Sequence, residues 1–377
     1  MNIPLPRRSE AVRTAGAALV AVALAASAAP AASATNAPRD SARQVQYVDC
    51  GTASGTENGS RSRPWRTLDQ VNRLDLKTGS SILLKRGTRC TGTLAPNGSG
   101  REGKPMVIGA YGTGAKPAID GGGNAETLLL KNTQWVEAKD LEITNSDTPG
   151  RNKRGVRVQL QDFGTGTHYR LTGLDIHDIR GDDTKGTEGS FGTVFQYNVS
   201  HDNAGGFFLV CTATGKLGNA IIRYNISRND HFRGIETCRG SFDDVRFHNN
   251  TIYAGDGVSQ TVVNENTTEK HEIAFDNNIV VKEGSGTASF NLKSGGVTLS
   301  HNDLVNTVGT PANPGGTTAD PLLSDPTGAL PLGLRLRSGS PALHVGTPVP
   351  GSPDRDLYGN PVGNPPNMGA YQGPGTV

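Results

Sequence analysis

The densest set of groups able to do chemistry lies in two short runs, His201-Asp202-Asn203 and Asn229-Asp230-His231-Phe232-Arg233-Gly234-Ile235-Glu236, with Lys293 further on. Carboxylates beside arginine, lysine and histidine suit more than one reaction, elimination among them. A base takes a proton α to a carboxylate while a cation neutralises the charge that develops. In that scheme Arg233 or Lys293 is base or neutraliser, and Glu236 and His231 stand next to the reacting centre. His201, Asp202 and Asp230 contact the ligand. Asp182, Asp183 and Asp202 together offer the carboxylate oxygens that a Ca²⁺ ion takes.

Each residue also has a plainer job. Asp202 and Asp230 fit turn caps, the usual work of Asp after a bend. Arg233 and Glu236 fit a surface ion pair worth under about 1 kcal/mol, and Lys293 a solvated side chain. His201, His231, His248 and His271 lack zinc-ligand spacing, so a catalytic histidine reduces to His201 or His231.

What would bring the two runs together is a repeat. Five segments share an alternating apolar strand followed by Asn, with those asparagines at 198, 225, 250, 278 and 302. The spacing stays near 25 residues, and the alternation inside each unit has period two, which is the signature of one β-solenoid coil per repeat. A leucine-rich repeat has a similar period, but its consensus leucines are absent. Asn tolerates the left-handed bend between strands, and its amide can bond to the amide of the next coil, so a stacked Asn ladder is expected. Asp140 and Asp175 are placed at the same position in earlier coils. In-register stacking then sets Asp202 beside Asn229 or Asp230. On the strand after Arg233, Ile235 and Thr237 face inward and Glu236 faces solvent.

The fold expected is an all-β, right-handed parallel β-helix. Residues 35–105 hold an N-terminal helical cap and the first strands, with helical spacing of Trp65, Leu68 and Val71. The coils run over 106–310, and an irregular Pro/Gly-rich segment over 311–377 folds over the other end. Residues 1–34 have the form of a signal peptide: Arg7, Arg8 and Arg13, a short apolar run, then Ala32-Ser33-Ala34. Secretion as an extracellular monomer without a membrane span is therefore expected.

Composition agrees. The chain has 50 Gly and 22 Pro in 377 residues with 5% aromatics, which favours short strands and many turns. The three leader arginines and Glu10 account for the whole formal charge of +2, so the remainder is neutral and a nucleic-acid partner is not expected. The 4 cysteines allow three pairings. Cys211 and Cys238 are 27 apart, the offset of Asn198 and Asn225, so they occupy equivalent positions on adjacent coils. Cys50 and Cys90 remain to tie the N-terminal segment to the first coil.

The opening Asp49-Cys50-Gly51, Pro64-Trp65-Arg66-Thr67-Leu68 and Leu84-Lys85-Arg86-Gly87-Thr88-Arg89-Cys90 resembles secreted β-helix proteins of the pectate lyase and chondroitinase B group. The closing Ser338-Gly339-Ser340-Pro341-Ala342, Asp356-Leu357-Tyr358-Gly359-Asn360-Pro361 and Gly369-Ala370-Tyr371 is similar to the tail of many such proteins. The resemblance implies a polysaccharide lyase acting on an acidic, uronate-containing glycan by β-elimination, with a Lys or Arg base and possible use of Ca²⁺. A non-catalytic carbohydrate-binding β-helix and a glycoside hydrolase are the alternatives, because this fold hosts several activities. Such relatives carry more coils after Gly181-Asp182-Asp183, where residues 184–190 bridge directly to the next coil here. Gly181-Asp182-Asp183 also resembles the paired Asp of polygalacturonases, but that family's Asn-Thr-Asp and Gly-His-Gly motifs are missing.

Overall fold

A computed structural model describes residues 44–52, 55–146, 153–180, 190–210, 216–266, 268–269 and 271–377. The leader, Asp182, Asp183, Cys211 and most of the 184–190 bridge lie outside the described residues.

The described chain is a right-handed parallel β-helix, as expected. Its strands stack in parallel into three walls. The first wall begins with Val45–Val48, Ser81–Lys85 and Met106–Tyr111 and continues to Val297–Ser300. The second is a sheet of nine strands from Arg89–Thr91 to Asp303–Val305. The third holds Glu126–Lys131 paired with Arg154–Gln159, and separately the run Phe208–Val210, Phe232–Thr237, Gln260–Glu265, Ala288–Asn291 and Thr307–Val308. Alternate side chains of all three walls meet in one core that includes Ile108, Leu171, Ile222, Ile235, Phe247 and Phe275. Burial of such rows is the main force holding successive coils together.

The Asn ladder forms as the repeat predicts. The side-chain amide of Asn198 donates to Oδ1 of Asn225 at 3.0 Å, Asn225 to Asn250 at 2.9 Å, Asn250 to Asn278 at 2.9 Å, and Asn278 to Asn302 at 3.1 Å. The same Oδ1 atoms accept the backbone N–H of the asparagine before them, at 2.8–3.1 Å. Asn313 takes the next place at 3.0 Å from Asn302. Earlier coils differ from expectation. Asn198 Oδ1 accepts from the backbone N–H of Leu174, so Leu174, not Asp175, occupies the ladder position there. The residue just before the ladder carries the left-handed backbone. Asp140 holds that place at φ 58°, with Tyr197 at 58°, Tyr224 at 51° and Asn249 at 53°. The sequence pattern set Asp140 and Asp175 one residue out of register on either side.

The helix Leu68–Asn72 is short and closed by a capping box between Thr67 and Gln70, and Leu68 and Val71 are buried in the core. Cys50 and Cys90 form a disulfide with Cα atoms 5.3 Å apart. Cys238 is also disulfide-bonded.

The C-terminal segment does more than close an end. After Asn313 it runs back along the outer corner between the first and second walls. Asn277 donates to the carbonyl of Thr347, Asn249 to Asn367, Arg223 to Gly351 and Arg228 to Gly328. Beneath it lies a second apolar cluster in which Val199, Ile226 and Ile279 of the helix meet Leu334, Ala342 and Ala370 of the tail.

Candidate functional site

The predicted cluster sits on the third wall and at the corner that leads into it. Register on this wall aligns Phe208, Ile235, Val263 and Phe290, which face the core, and Leu209, Glu236, Asn264 and Asn291, which face outward. The outward row is polar: Asn291 donates to Asn264 Oδ1 at 2.6 Å, and Asn266 donates to Glu236. The direction expected for Glu236 is right, but its exposure is not, because only 2% of the residue is accessible. Asn266 and Arg233 fold over it. Arg233 Nε lies 2.5 Å from Glu236 Oε2, and both side chains are buried. This is a desolvated pair, not the surface one considered above. Burial pushes the Glu236 carboxyl up, and Arg233, Asn264 and Asn266 pull it down without reversing the shift.

Two local features put Arg233 there. Gly206, at φ 103°, faces it so closely that a Cβ would stand 2.2 Å from the Arg233 carbonyl oxygen. Phe232 takes a left-handed conformation at φ 69°, rare for a bulky residue. The residue is 58% exposed, with the Arg233 guanidinium 4.7 Å from its ring centroid. An exposed aromatic held in a strained backbone is a feature that sites retain and cores do not.

Arg233 also lines a cavity of about 240 Å³ between the strands Arg154–Gln159 and Phe208–Val210. Arg154, Arg157, Phe207 and Phe208 contribute to its walls. Glu126 holds Arg154 at 2.6 Å and Arg157 at 2.7 Å.

The other predicted residues do not converge on this point. Asp230 is buried beside the ladder: its Oδ1 accepts from Asn203 Nδ2 at 2.8 Å and its Oδ2 from Ser227 at 2.6 Å. Burial raises its pKa. It extends a second side-chain stack, and Asn203 Oδ1 in turn accepts from Ile179 N–H at 2.9 Å. Asp202 is exposed at φ 56° and contacts His201 at 2.8 Å and Arg228 at 3.9 Å. His231 is exposed, and its backbone N–H donates to the Asn203 carbonyl. Lys293 is exposed on the loop after Ala288–Asn291, and its backbone N–H donates to Glu265 Oε2 at 2.6 Å. Of the Ca²⁺ set only Asp202 is among the described residues, beside a histidine and an arginine.

Sequence reasoning missed three groups. Glu265 and His271 are fully buried and 2.5 Å apart, with Glu265 also bonded by Ser294. Burial opposes its charge, but those bonds hold the Glu265 carboxyl below its ordinary value. Asp303 is buried under the tail. His177 stacks on His201 with ring centroids 4.6 Å apart. The signal for the last was present, since His177-Asp178 and His201-Asp202 repeat at 24 residues, one coil.

No protein-family profile matches the chain. A lacto-N-biosidase of Bifidobacterium longum subsp. longum is 28% identical over 211 residues, covering 48% of this chain and 13% of that protein. The chain therefore spans a small part of the curated relative it matches. Among solved structures, the GH136 lacto-N-biosidase from Eubacterium ramulus superposes with a TM-score of 0.51 at 18% identity, over 71% of this chain and 60% of that one. A pectate lyase superposes with a TM-score of 0.44 at 15% identity, over 88% and 96%. The first likeness shows a shared fold.

Proposed function

We propose that this protein is a carbohydrate-active β-helix that seats a glycan on the outer face of its third wall and cleaves it by hydrolysis. The observation that carries the reading is Phe232, an exposed ring held at a strained backbone position beside Arg233, on the same strand as Glu236 and the same wall as the Asn264–Asn291 row. A sugar ring stacks on such a face, and neighbouring amides bind its hydroxyls. Glu236 is the group suited to donate a proton, because burial raises its pKa above the ordinary carboxylate value. The matched stretch of a lacto-N-biosidase supports hydrolysis of a glycosidic bond.

The geometry weighs against β-elimination. Its base would be Arg233, which is buried against Glu236, or Lys293, which is exposed on a separate loop. The carboxylates expected to join them are apart, with Asp230 inside a turn stack and Asp202 at the corner next to His201. Secretion to an extracellular substrate is part of this proposal and accords with the Cys50–Cys90 disulfide. No helix among the described residues is long and apolar enough to cross a membrane.

The test is to incubate the purified chain with neutral and uronate-containing glycans and follow two products, reducing ends and the ultraviolet absorbance of unsaturated uronates. Hydrolysis gives reducing ends without that absorbance, and Glu236→Gln lowers the rate about 10²–10⁴-fold while Phe232→Ala weakens binding. Unsaturated ends would establish a lyase and overturn the assignment. Glycan binding without cleavage would leave a binding protein and remove the role given to Glu236.

A further inference from the structure

We propose that Asp175, His177 and His201 form a site for a divalent transition-metal ion of the Zn²⁺ class, tying two adjacent coils together on the outer face of the second wall. One ligand atom from each of the three lies within 4.8 Å of the other two. They come from neighbouring strands, Asp175–Ile179 and Val199–His201, whose register sets His177 directly beside His201.

The argument begins with the imidazole protons. Nδ1 of His177 lies 2.9 Å from Asp178 Oδ2, and Nδ1 of His201 lies 2.8 Å from Asp202 Oδ2. A carboxylate accepts only, so each Nδ1 carries the hydrogen and each neutral ring keeps its lone pair on Nε2. Those Nε2 atoms face carboxylates too, at 3.6 Å from Asp175 Oδ1 for His201 and at 3.7 Å from Glu142 Oε1 for His177. These distances are longer than a normal hydrogen bond, and a cation placed between each lone pair and its carboxylate would join them.

Two protons would supply that charge, but they would stack two imidazolium rings 4.6 Å apart and 8° from parallel. A single divalent ion meets both rings and the carboxylate at once. Carboxylate–histidine–metal is a recurring arrangement, in which the outer carboxylate fixes the tautomer and makes the ligand nitrogen more basic. A second observation points the same way. Asp175 Oδ1 is buried and accepts no hydrogen bond among the described residues. Ligand type selects the metal: two imidazoles and one carboxylate suit Zn²⁺, Ni²⁺ or Cu²⁺ better than Ca²⁺. Tetrahedral bonds of about 2.1 Å place donors about 3.4 Å apart, so small side-chain rotations close the site.

Nearby charges set the strength. Arg89 engages Glu142 at 3.0 Å and so leaves Asp175 as the carboxylate ligand. Lys116 acts on Asp175, and Arg228 lies 3.9 Å from Asp202; both oppose a cation.

The site lies apart from Glu236, so this inference stands or falls independently of the glycan reading. The experiment is calorimetric titration of the tag-free, metal-stripped protein with Zn²⁺, with Co²⁺ absorption as a second readout. One ion per chain is expected, with affinity lost at least 10-fold in His177→Ala and in His201→Ala. A smaller loss is expected in Asp178→Asn, which acts through the ring. Excess Zn²⁺ should raise the Tm of the wild type by about 2 °C or more, and should not raise that of the double variant. Equal binding by the wild type and by a double variant that retains its circular dichroism would overturn the proposal. So would no binding by the wild type at pH 7.5.

Discussion

Asp303 should make the protein less stable as the pH rises from acid to neutral, and Asp303→Asn should remove that loss. The residue is wholly buried at the start of the strand Asp303–Val305, beside Ile279 of the coil below and under the tail. Neither carboxylate oxygen accepts a hydrogen bond among the described residues. Burial, with a smaller push from the charge of Asp320, raises its pKa from 3.8 to about 7. The folded state therefore binds the proton more tightly than the unfolded state does. Below about pH 4 both states are protonated and the residue is neutral in its effect; between pH 4 and 7 stability falls; above 7 the full penalty is present. Three pKa units correspond to about 4 kcal/mol as an upper limit. Relaxation around the charge brings the expected value to about 2 kcal/mol. The amide of Asn has the same shape and no charge. At pH 8 the variant should melt about 3–4 °C higher than the wild type. At pH 4 the two should agree to within about 1 °C or the variant should be slightly weaker, because its NH₂ has no acceptor. Thermal unfolding at both pH values tests this, with hydrogen exchange of the strand Asp303–Val305 reporting the local change. If Asp303→Asn is less stable than the wild type at pH 8 and the pH dependence is unchanged, Asp303 is a satisfied carboxylate and the reasoning fails.

Two other changes probe the frame. Asn225→Ala deletes the bonds to Asn250 Oδ1 and the Phe195 carbonyl and strips the acceptor from Asn198, all fully buried; a loss of about 3–5 kcal/mol is expected, read as a fall in Tm or in soluble yield. Replacing Cys50 and Cys90 by Ala frees a 40-residue loop, with an expected loss of about 4 kcal/mol measured by denaturant unfolding.

The sequence carried the frame because each coil repeats the same physical demands. Asparagines 24–28 residues apart and period-two alternation specified the walls and which residues of the strand Phe232–Thr237 face in. What it did not carry was the environment of outward-facing groups. Alternation sets the direction of Glu236, but its burial depends on Asn266, a loop residue of the next coil, and on Gly206 allowing Arg233 to fold inward. Asp230 was counted with Asp202 because the two lie one coil apart, yet a shift of one residue moves Asp230 from a surface corner into a buried side-chain stack. The tail's path was not legible either. No periodicity marks it, and its contacts with Asn249, Asn277, Arg223 and Arg228 are made largely through its own backbone carbonyls, which carry no residue code. His177 escaped notice for a different reason: its partner in space is one full coil away, and ligand spacings familiar from hairpins and helices do not apply to a solenoid.

The course of the tail argues for where a ligand can bind. A β-helix offers three outer walls, and here the corner between the first and second is occupied from Asn277 to Arg223. The apolar row Val199, Ile226 and Ile279, which would otherwise be an exposed patch on the second wall, is consumed by Leu334, Ala342 and Ala370. The third wall receives no comparable cover among the described residues. It is also the wall that carries the outward Glu236–Asn264–Asn291 row and the strained, exposed Phe232. If the tail's purpose were only to close the last coil, contacts near Asn313 would suffice. Its extension across several coils shields the hydrophobic flank and leaves the third wall without that cover, so removal of the tail should expose the second wall without altering the glycan binding proposed for the third.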